Sequence, residues 1–503
     1  MANLYALLAG QFPADRQRPF ATTDDGSVLR YADVEAQSAR YANLLGRLGV
    51  SPGDRVAVQA HKSLDMLMLY LGCLRAGAIF LPLNTAYPTA ELAYFLSDAG
   101  PALLVCDPAQ AEALQPVARE AGVARVETMG VGGAGSLPAA AADAHDVFAT
   151  RDAADDDIAA ILYTSGTTGR SKGAMLSHGN LASNCMTLKD VWRFTADDVL
   201  LHALPIFHTH GLFVATNVTL AAGAQMIFQE SFDVERVIAA LPRATVMMGV
   251  PTFYIRLLKE PRFTRELVAH MRLFVSGSAP LSADIHRAFR EHCGHVILER
   301  YGMTETNMNT SNPYEGVRRP GTVGLPLPGI DIRIADRESG RELPQGDVGV
   351  IEIRGPNVFK GYWKMPEKTA AEFRDGYFIS GDLGFISEDG YVSIVGRDKD
   401  LIISGGYNIY PAEVEAALDE LAMVRESAVI GVPHPDMGEA VVGVVVPLES
   451  GFADDRALTA KLVDRLARFK QPRRIIFVDE LPKNTMGKVE KRLLRERYAH
   501  EFG

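Results

Sequence analysis

The sequence predicts a large α/β body followed by a small α+β domain. Before residue 321, apolar segments of strand length alternate with helical segments, which is typical of parallel sheets covered by helices. From about residue 321, glycines and prolines punctuate short alternating strands, which indicates a small β-barrel or twisted sheet over 321–396. A charged break at 397–400 then separates this body, residues 1–396, from a compact α+β tail at 401–503.

The bulk composition predicts a folded protein of roughly three domain-sized units. Of the 503 residues, 47% are hydrophobic and 22% are charged, so disorder is not indicated. The net charge of -11 argues against general affinity for nucleic acid. The four cysteines are scattered without CxxC pairing, and no apolar run is long enough to span a membrane. Since the first residues also lack a secretory signal, we expect a cytoplasmic protein without membrane or nucleic-acid partners.

Several elements of the body have clear boundaries in the sequence. Leucines and methionines share one helical face over 63–75, and Gly77 should end that helix. Apolar runs at 78–83 and 102–106 predict buried strands, and residues 181–188 predict another helix. This alternation of strands and helices supports the predicted parallel sheet.

Gly130, Gly132 and Gly135 form a GxGxxG string that needs to be weighed. A dinucleotide-binding turn of this pattern requires a helix that opens immediately after it. The segment that follows contains Pro138 and lacks an apolar helical stripe. A surface loop of small residues is therefore the preferred interpretation.

Residues 163–173, YTSGTTGRSKG, are the most informative stretch and follow an apolar run at 158–162. Glycines let backbone N–H groups point into one concavity, while hydroxyls and two cations add donors and charge. The spacing is not that of a Walker A loop, and a flexible surface loop is the alternative interpretation. We predict a polyphosphate cradle formed by Thr164, Ser165, Gly166, Thr167, Thr168, Gly169 and Lys172.

Further motifs follow in a fixed order along the chain: FHTHG at 207–211, SGSAP at 276–280, YGMTET at 301–306, GRDKDLIISGGYNIYP at 396–411 and NTMGK at 484–488. With the cradle, they give the sequence a resemblance to the acyl-adenylate-forming superfamily, which includes acyl-CoA synthetases, adenylation domains and luciferases. The matching motifs extend from about residue 160 to 488. The resemblance implies that a carboxylate attacks the α-phosphorus of ATP and that a thiol, here of CoA, then displaces AMP.

The resemblance also implies roles for individual residues in the nucleotide site. Thr304 would donate to phosphate and Glu305 would hold Mg²⁺, beside the cradle lysine Lys172. Taken alone, Glu305 could be a solvated charge and Asp382 a turn residue. By the same resemblance, Gly277, Ser278 and Ala279 would form a shelf for the adenine, and Tyr301 would stack on the base. Asp382 and Arg397 would bind the ribose hydroxyls, and Glu299 is also implied in nucleotide binding.

In the C-terminal part, the resemblance makes Lys488 the lysine that bridges the attacking carboxylate and the α-phosphate. Lys399 matches a hinge about which this domain swings, and Gly405 and Gly406 would let a pantetheine arm pass. Without the family pattern, Lys488 would be one surface lysine among many. We also expect that a lysine acetyltransferase could block adenylation by neutralising Lys488.

Arg256 interrupts an otherwise apolar segment, PTFYIRLL, that lines the acyl pocket in the family. Because an unpaired buried cation is costly, a guanidinium there calls for a second carboxylate on the acid. The sequence looks most like malonyl-CoA synthetases, which implies malonate and often methylmalonate. The supporting residues are His208, His210, Ser276 or Ser278, and Met308, which would lie near the C2 substituent.

Four alternatives stay open at this stage. Arg256 could lie on a helix surface, and the HxH pair could bind a metal, although further ligands at suitable spacing are missing. The enzyme could activate a monocarboxylic acid, or load a carrier protein in place of CoA. A nucleotide-binding regulatory module without chemistry is disfavoured by Lys488 and Glu305.

Overall fold

The computed structural model describes residues 3–164, 171–405, 407–449, 451–463, 465–484 and 487–502. The helices are α1 (Leu4–Ala9), α2 (Tyr31–Arg47), α3 (Leu64–Ala76), α4 (Thr89–Ala99), α5 (Ala111–Glu120), α6 (Ser136–Ala142), α7 (His178–Val191), α8 (Asn217–Ala221), α9 (Val234–Ala240), α10 (Pro251–Leu258), α11 (Arg265–Val268), α12 (Ala283–Cys293), α13 (Pro366–Ala371), α14 (Pro411–Asp419), α15 (Asp455–Leu462) and α16 (Lys491–Arg497). A π-helical segment, His210–Thr216, leads directly into α8.

The strands are β1 (Pro19–Thr23), β2 (Val28–Arg30), β3 (Arg55–Gln59), β4 (Ile79–Pro82), β5 (Leu103–Cys106), β6 (Arg125–Thr128), β7 (Ile158–Thr164), β8 (Lys172–Ser177), β9 (Val199–His202), β10 (Gln225–Phe228), β11 (Val246–Gly249), β12 (Leu273–Ser276), β13 (Leu298–Met303), β14 (Asn307–Ser311), β15 (Leu325–Pro326), β16 (Asp331–Ala335), β17 (Gly349–Arg354), β18 (Phe373–Arg374), β19 (Tyr377–Ile386), β20 (Val392–Arg397), β21 (Ile402–Ser404), β22 (Tyr407–Ile409), β23 (Val424–His434), β24 (Gly438–Pro447) and β25 (Arg474–Phe477).

Two largely parallel sheets form the body. The first has the strand order β6-β5-β3-β4-β7-β8, in which only β8 is antiparallel to its neighbour. The second has the order β15-β14-β13-β12-β11-β9-β10-β1-β2, and its six strands from β13 to β1 are parallel. One large apolar cluster, with residues from both sheets and from α2, α3 and α7, joins them into a common core. Buried parallel strands with helices against them are the predicted α/β architecture.

The β-rich part and the C-terminal part are separate antiparallel arrangements. Strands β16 to β20 form a five-stranded antiparallel sheet at the position predicted for the small barrel or twisted sheet. A short turn, Asp398–Asp400, leads to the C-terminal sheet of order β22-β21-β24-β23, with β25 beside β24. Helices α14 and α15 cover one face of that sheet and α16 covers the other.

The local signals read from the sequence have the expected physical basis. Helix α3 begins where the Ser63 side chain accepts a hydrogen bond from the Met66 N–H, and it ends at Gly77 in the left-handed conformation with φ of 73°. Strands β4 and β5 lie within the apolar runs that predicted them, and α7 includes the predicted helical segment. These predictions are confirmed to within a few residues at each end.

The GxGxxG string differs in one respect from its prediction. Its glycines lie in an irregular turn, but helix α6 begins immediately after it and packs on α2. The expectation that no helix follows was therefore wrong, because Leu137 and Ala141 suffice to bury one short face. Gly135 is required there, since φ is 116° and an added Cβ would lie 2.4 Å from the Thr128 carbonyl oxygen.

In the part of the chain that the structure describes, none of the helices has the length and apolar character needed to cross a membrane.

Candidate active site at the carboxyl ends of the parallel strands

The predicted site residues converge because they follow neighbouring parallel strands. Strands β9, β11, β12 and β13 are adjacent, so the segments that leave their carboxyl ends meet at one edge of the sheet. In open α/β sheets this edge is where ligands bind. The HxH segment, helix α10, the SGSAP loop and the YGMTET hairpin all start there.

Thr304 and Glu305 lie in the turn of the hairpin formed by β13 and β14. The turn is tight, because a Cβ added to Gly302 would lie 2.0 Å from the Asn307 carbonyl oxygen. Glu305 is buried, and its Oε1 accepts a hydrogen bond of 3.0 Å from the Tyr362 hydroxyl. Burial raises the pKa of Glu305, so a nearby cation would be needed to keep its carboxylate ionised.

Only the two ends of the predicted phosphate cradle can be described. Ser165, Gly166, Thr167, Thr168 and Gly169 lie outside the described residues. At one end, the Thr164 hydroxyl is 3.5 Å from Glu305 Oε1. At the other, the buried Lys172 ammonium is 3.4 Å from Glu372 Oε1 and 4.0 Å from the centre of the Tyr362 ring. Thr164 thus reaches Glu305 directly, whereas Lys172 is connected to it through Tyr362, a residue that the sequence analysis did not identify.

Asp382, Tyr301 and Arg397 form one hydrogen-bonded group. The buried Asp382 carboxylate accepts from the Tyr301 hydroxyl and pairs with Arg397 Nε at 2.7 Å. Burial, and then the negative charge of Asp382, raises the pKa of Tyr301 well above its usual value. The three residues predicted to contact the ribose and the base are therefore in direct contact with one another, and their roles toward the nucleotide stay predictions.

The loop after β12 carries the predicted adenine shelf of Gly277, Ser278 and Ala279. Ser278 has φ of 70°, an uncommon left-handed conformation for a residue with a side chain. Glu299 Oε1 accepts a hydrogen bond of 3.1 Å from the Leu281 N–H and so fixes the end of this loop. Burial raises the pKa of Glu299 to about 8, and its carboxyl group is therefore largely protonated at neutral pH. These contacts make Glu299 a support of the loop.

The segments that meet at this edge of the sheet hold an unusual concentration of buried polar atoms that lack a hydrogen-bond partner among the described residues. Seven such atoms are His208 Nε2, Thr209 Oγ1, His210 Nε2, Ser276 Oγ, Glu299 Oε2, Arg300 Nε and Arg300 Nη2. His210 Nδ1 lies 3.2 Å from the Ser278 hydroxyl oxygen, which joins the HxH segment to the shelf loop. Burial lowers the pKa of His208 to about 4 and the pKa of His210 well below its usual value, so both imidazoles are neutral. Buried polar groups are normally satisfied, so this cluster indicates a ligand site.

Arg300 is the residue in this cluster that the sequence analysis missed. It is 3% exposed, and its guanidinium packs on Gly277, where an added Cβ would lie 2.3 Å from Arg300 Cζ. Among the described residues it makes no ion pair, and burial lowers its pKa to about 9. One signal in the sequence could have identified Arg300. It lies beside Glu299 in a strand that pairs on both sides, where two adjacent charged residues are unusual.

The interpretation that Arg256 is a buried cation of the acyl pocket was wrong. Helix α10 buries Pro251, Tyr254 and Leu257, and Arg256 lies off that face and is exposed. An exposed guanidinium is solvated, so it does not require a carboxylate partner. The alternative of a helix-surface arginine is the one that the structure supports.

Lys488 faces this cleft from the C-terminal domain. Its side chain keeps access to solvent, and the adjacent Gly487 approaches Thr252 of α10. Packing against protein atoms, and then the positive charge of Arg397, lowers the pKa of Lys488, while Asp382 acts in the opposite direction. Lys488 therefore lies within electrostatic reach of both the nucleotide group and Arg300.

The remaining predicted residues are distributed as follows. Met308 is buried, and its Cε lies 2.5 Å from the position of a Cβ on Gly302, so it packs behind the hairpin. Lys399 lies in the turn before the C-terminal sheet, and partial burial lowers its pKa. Gly405 has φ of 58°, whereas Gly406 lies outside the described residues. Among the described residues, no group of three or more His, Cys, Asp or Glu side chains could hold a metal ion, so the HxH pair gains no support as a metal site.

Known proteins share this arrangement. A model of AMP-binding enzymes matches residues 9–363, and one of the AMP-binding enzyme C-terminal domain matches residues 413–488. The feruloyl-CoA synthase of an Amycolatopsis species is 39% identical over 97% of this chain and 99% of that protein. The malonate–CoA ligase of Arabidopsis thaliana is 35% identical over 90% of this chain and 79% of that protein. The crystal structure of ATP-bound MatB from Rhodopseudomonas palustris is 57% identical with a TM-score of 0.98, and each chain is covered in full.

Proposed function

Because this chain belongs to the AMP-binding enzyme family and is an acyl-CoA ligase that uses ATP, Mg²⁺ and CoA, we propose that its acid substrate is malonate, with methylmalonate also accepted. The observation that carries the proposal is the buried Arg300 guanidinium with two unpartnered nitrogens. The similarity to the plant malonate–CoA ligase supports the same acid.

The physical argument concerns the cost of a buried charge. A desolvated cation without a partner costs several kcal/mol, so a site that keeps one is built for an anion. An acid with a single carboxylate would leave Arg300 unpaired once that carboxylate reacts with ATP. A short diacid such as malonate supplies a second carboxylate, which a guanidinium can bind with two parallel hydrogen bonds. The buried His210 imidazole lies within electrostatic reach of Arg300, and its Nε2 has no hydrogen-bond partner among the described residues.

In the proposed first step, the near carboxylate of the acid attacks the α-phosphorus of ATP, and the bond from that phosphorus to pyrophosphate breaks. The obstacle is repulsion between two anions, which fixed cations and donors reduce. Lys488 supplies a mobile ammonium at the junction between the nucleotide group and Arg300. Thr304 and Lys172 are assigned to the phosphates, and Asp382 with Arg397 to the ribose.

The buried carboxylate of Glu305 fits a magnesium site. Its chemistry is that of a hard oxygen ligand, and burial alone would disfavour its charge. Mg²⁺ bound there would neutralise charge on the phosphate oxygens. Tyr362 holds Glu305 by a hydrogen bond and so orients it for this role.

In the proposed second step, the CoA thiol attacks the acyl carbon and AMP leaves. The C-terminal domain would first turn about Lys399, which withdraws Lys488 and presents the segment that begins at Gly405. The described orientation, with Lys488 at the cleft, is assigned to the first step. This assignment is supported by the TM-score of 0.98 to ATP-bound MatB, compared with 0.86 to apo MatB.

Two finer points are also proposals. All four cysteines are free and buried, which supports a reducing compartment and hence the cytoplasm. The solvent access of Lys488 supports the expectation that a lysine acetyltransferase can reach it. Acetylation would remove the charge that the first step needs.

The test is acid-dependent AMP formation with CoA and a panel of malonate, methylmalonate, propionate and ferulate. We expect malonate to give the highest kcat/KM and methylmalonate to follow. Ferulate is included because a feruloyl-CoA synthase is among the similar proteins. Preference for ferulate or propionate would contradict the proposed acid, and acid-dependent pyrophosphate release without any acyl-CoA product would point to a carrier protein as acceptor.

A further inference from the structure

Lys62 is a buried lysine behind the acyl side of the site. It lies in the turn between β3 and α3, is 9% exposed and makes no ion pair with any residue that the structure describes. Its ammonium nitrogen is 2.9 Å from the His202 carbonyl oxygen and 3.1 Å from His202 Nδ1. It also lies 4.3 Å from the centre of the Phe228 ring. Because a buried lysine without a carboxylate is costly, its contacts with His202 call for an explanation.

His202 ends β9 and is fully buried. Its Nε2 lies 2.9 Å from the Gly211 carbonyl oxygen, which can only accept, so Nε2 carries the proton. Burial, and then the nearby Lys62, lowers the pKa of His202 well below its usual value, so the ring is neutral. Its Nδ1 must therefore accept from Lys62, which fixes both the tautomer and the orientation of the ring.

Gly211 connects this pair to the active site. Its carbonyl oxygen also accepts a hydrogen bond of 3.0 Å from the Thr216 hydroxyl. Gly211 packs so closely that an added Cβ would lie 2.0 Å from the Pro205 carbonyl oxygen. It directly follows His210 at the start of the π-helical segment, and π-helical turns are frequent at functional sites. Hydrogen bonds that hold the Gly211 carbonyl therefore restrain the backbone beside His210.

We propose that Lys62 and His202 are positioning residues for the acid substrate. They hold the Gly211 carbonyl, and through it they place His210, whose buried Nε2 has no partner among the described residues, within electrostatic reach of Arg300. This inference rests on the proposed acid site but does not depend on the acid being malonate. Lys62 itself touches neither substrate nor nucleotide in this role.

The test is a double-mutant cycle between Lys62→Met and His210→Ala, measured with the acid that the panel identifies. Methionine keeps the length of the side chain and removes both hydrogen bonds to His202. We expect Lys62→Met to raise the KM for the acid about tenfold, with an unchanged KM for ATP and an unchanged Tm. In the His210→Ala background, the same substitution should have no further effect, because its action passes through His210.

The matched control is His61→Ala, the exposed neighbour of Lys62, which should leave both KM values unchanged. Thr216→Val removes one donor from the same Gly211 carbonyl and should raise the KM for the acid about threefold. If Lys62→Met does not fold, the KM for the acid of Thr216→Val is the measurement that tests the inference. Equal changes in the two KM values, or additive effects in the cycle, would overturn the inference. The proposed function is tested separately by Arg300→Met. If this variant loses the preference for the acid, the proposed function stands even when the role of Lys62 is refuted.

Discussion

Replacing Arg300 by methionine is the most direct perturbation of the proposed acid site. Methionine has a similar length and no charge, so it fills the space beside Gly277 without an unpaired cation. Because Arg300 has no ion pair among the described residues, its loss leaves no protein carboxylate uncompensated. The folded enzyme should be as stable as the parent or more stable, and the KM for ATP should change little.

The effect on the acid follows from the burial of the guanidinium. In the complex with a diacid, Arg300 and the distal carboxylate form a buried ion pair, and breaking such a pair costs about 3–5 kcal/mol. Since about 1.4 kcal/mol corresponds to a factor of ten, kcat/KM for malonate should fall by about 10²- to 4 × 10³-fold. Propionate has a methyl group where malonate has its second carboxylate, so its kcat/KM should rise.

The assay is acid-dependent AMP formation at saturating ATP and CoA, with malonate and propionate in parallel. The matched control is Arg256→Met, which removes the exposed guanidinium of α10. This control should leave kcat/KM for malonate within about threefold, as for other surface substitutions. Should Arg256→Met lose malonate activity while Arg300→Met keeps it, the distal carboxylate would be bound at residue 256 and the reasoning from burial would be refuted.

Three other predictions concern the nucleotide side and the chemistry. Lys488→Ala, or acetylation of Lys488, should slow acid-dependent pyrophosphate release about 10²- to 10³-fold but leave thioester formation from added acyl-adenylate and CoA nearly intact; equal losses in both assays would contradict the role of Lys488. Gly302→Ala should abolish the rise in Tm that ATP and Mg²⁺ produce, because the new Cβ would lie 2.0 Å from the Asn307 carbonyl oxygen; calorimetry checks this. The pKa of Glu299 is raised to about 8 in the folded state, above its value in the unfolded chain. The folded protein therefore keeps a proton that the unfolded chain has released. The stability that this proton contributes is lost as the pH rises through about 8. Between about pH 6 and pH 8, the Tm of the parent should therefore fall more than the Tm of Glu299→Gln, because glutamine does not titrate. Parallel Tm profiles of the two proteins would exclude the protonated carboxyl.

The elements set by local chemistry could be predicted from the sequence. Helix α3 has a serine cap, a continuous apolar face and a terminal glycine, and the structure has the helix between these signals. Helix α6 was missed because two buried side chains and packing on α2 were enough to form it despite Pro138. In the nucleotide site, the motifs gave Thr304, Glu305, Asp382 and Lys488 by resemblance, and the fold brings their segments to one edge of the sheet.

Tertiary contacts could not be predicted in the same way. Tyr362 holds Glu305 and Glu372 pairs with Lys172, yet neither residue belongs to a motif that suggested this. Arg256 and Arg300 show most clearly that a local pattern does not determine whether a side chain is buried. Arg256 interrupts an apolar segment, but the spacing of Tyr254 and Leu257 determines which face of α10 is buried, and Arg256 is off it.

In the proposed enzyme, the position of Arg300 lets one short segment serve both the acid and the nucleotide. It lies in β13 between Glu299, which holds the shelf loop, and Tyr301, which holds Asp382. Side chains alternate between the two faces of a strand, so Arg300 lies on the face opposite to that of Glu299 and Tyr301. Recognition of the distal carboxylate and support of the nucleotide are thereby separated by direction within three consecutive residues. A substitution at Arg300 that changes the KM for ATP as much as that for malonate would mean that the strand itself has moved, which is why both constants must be measured on each variant.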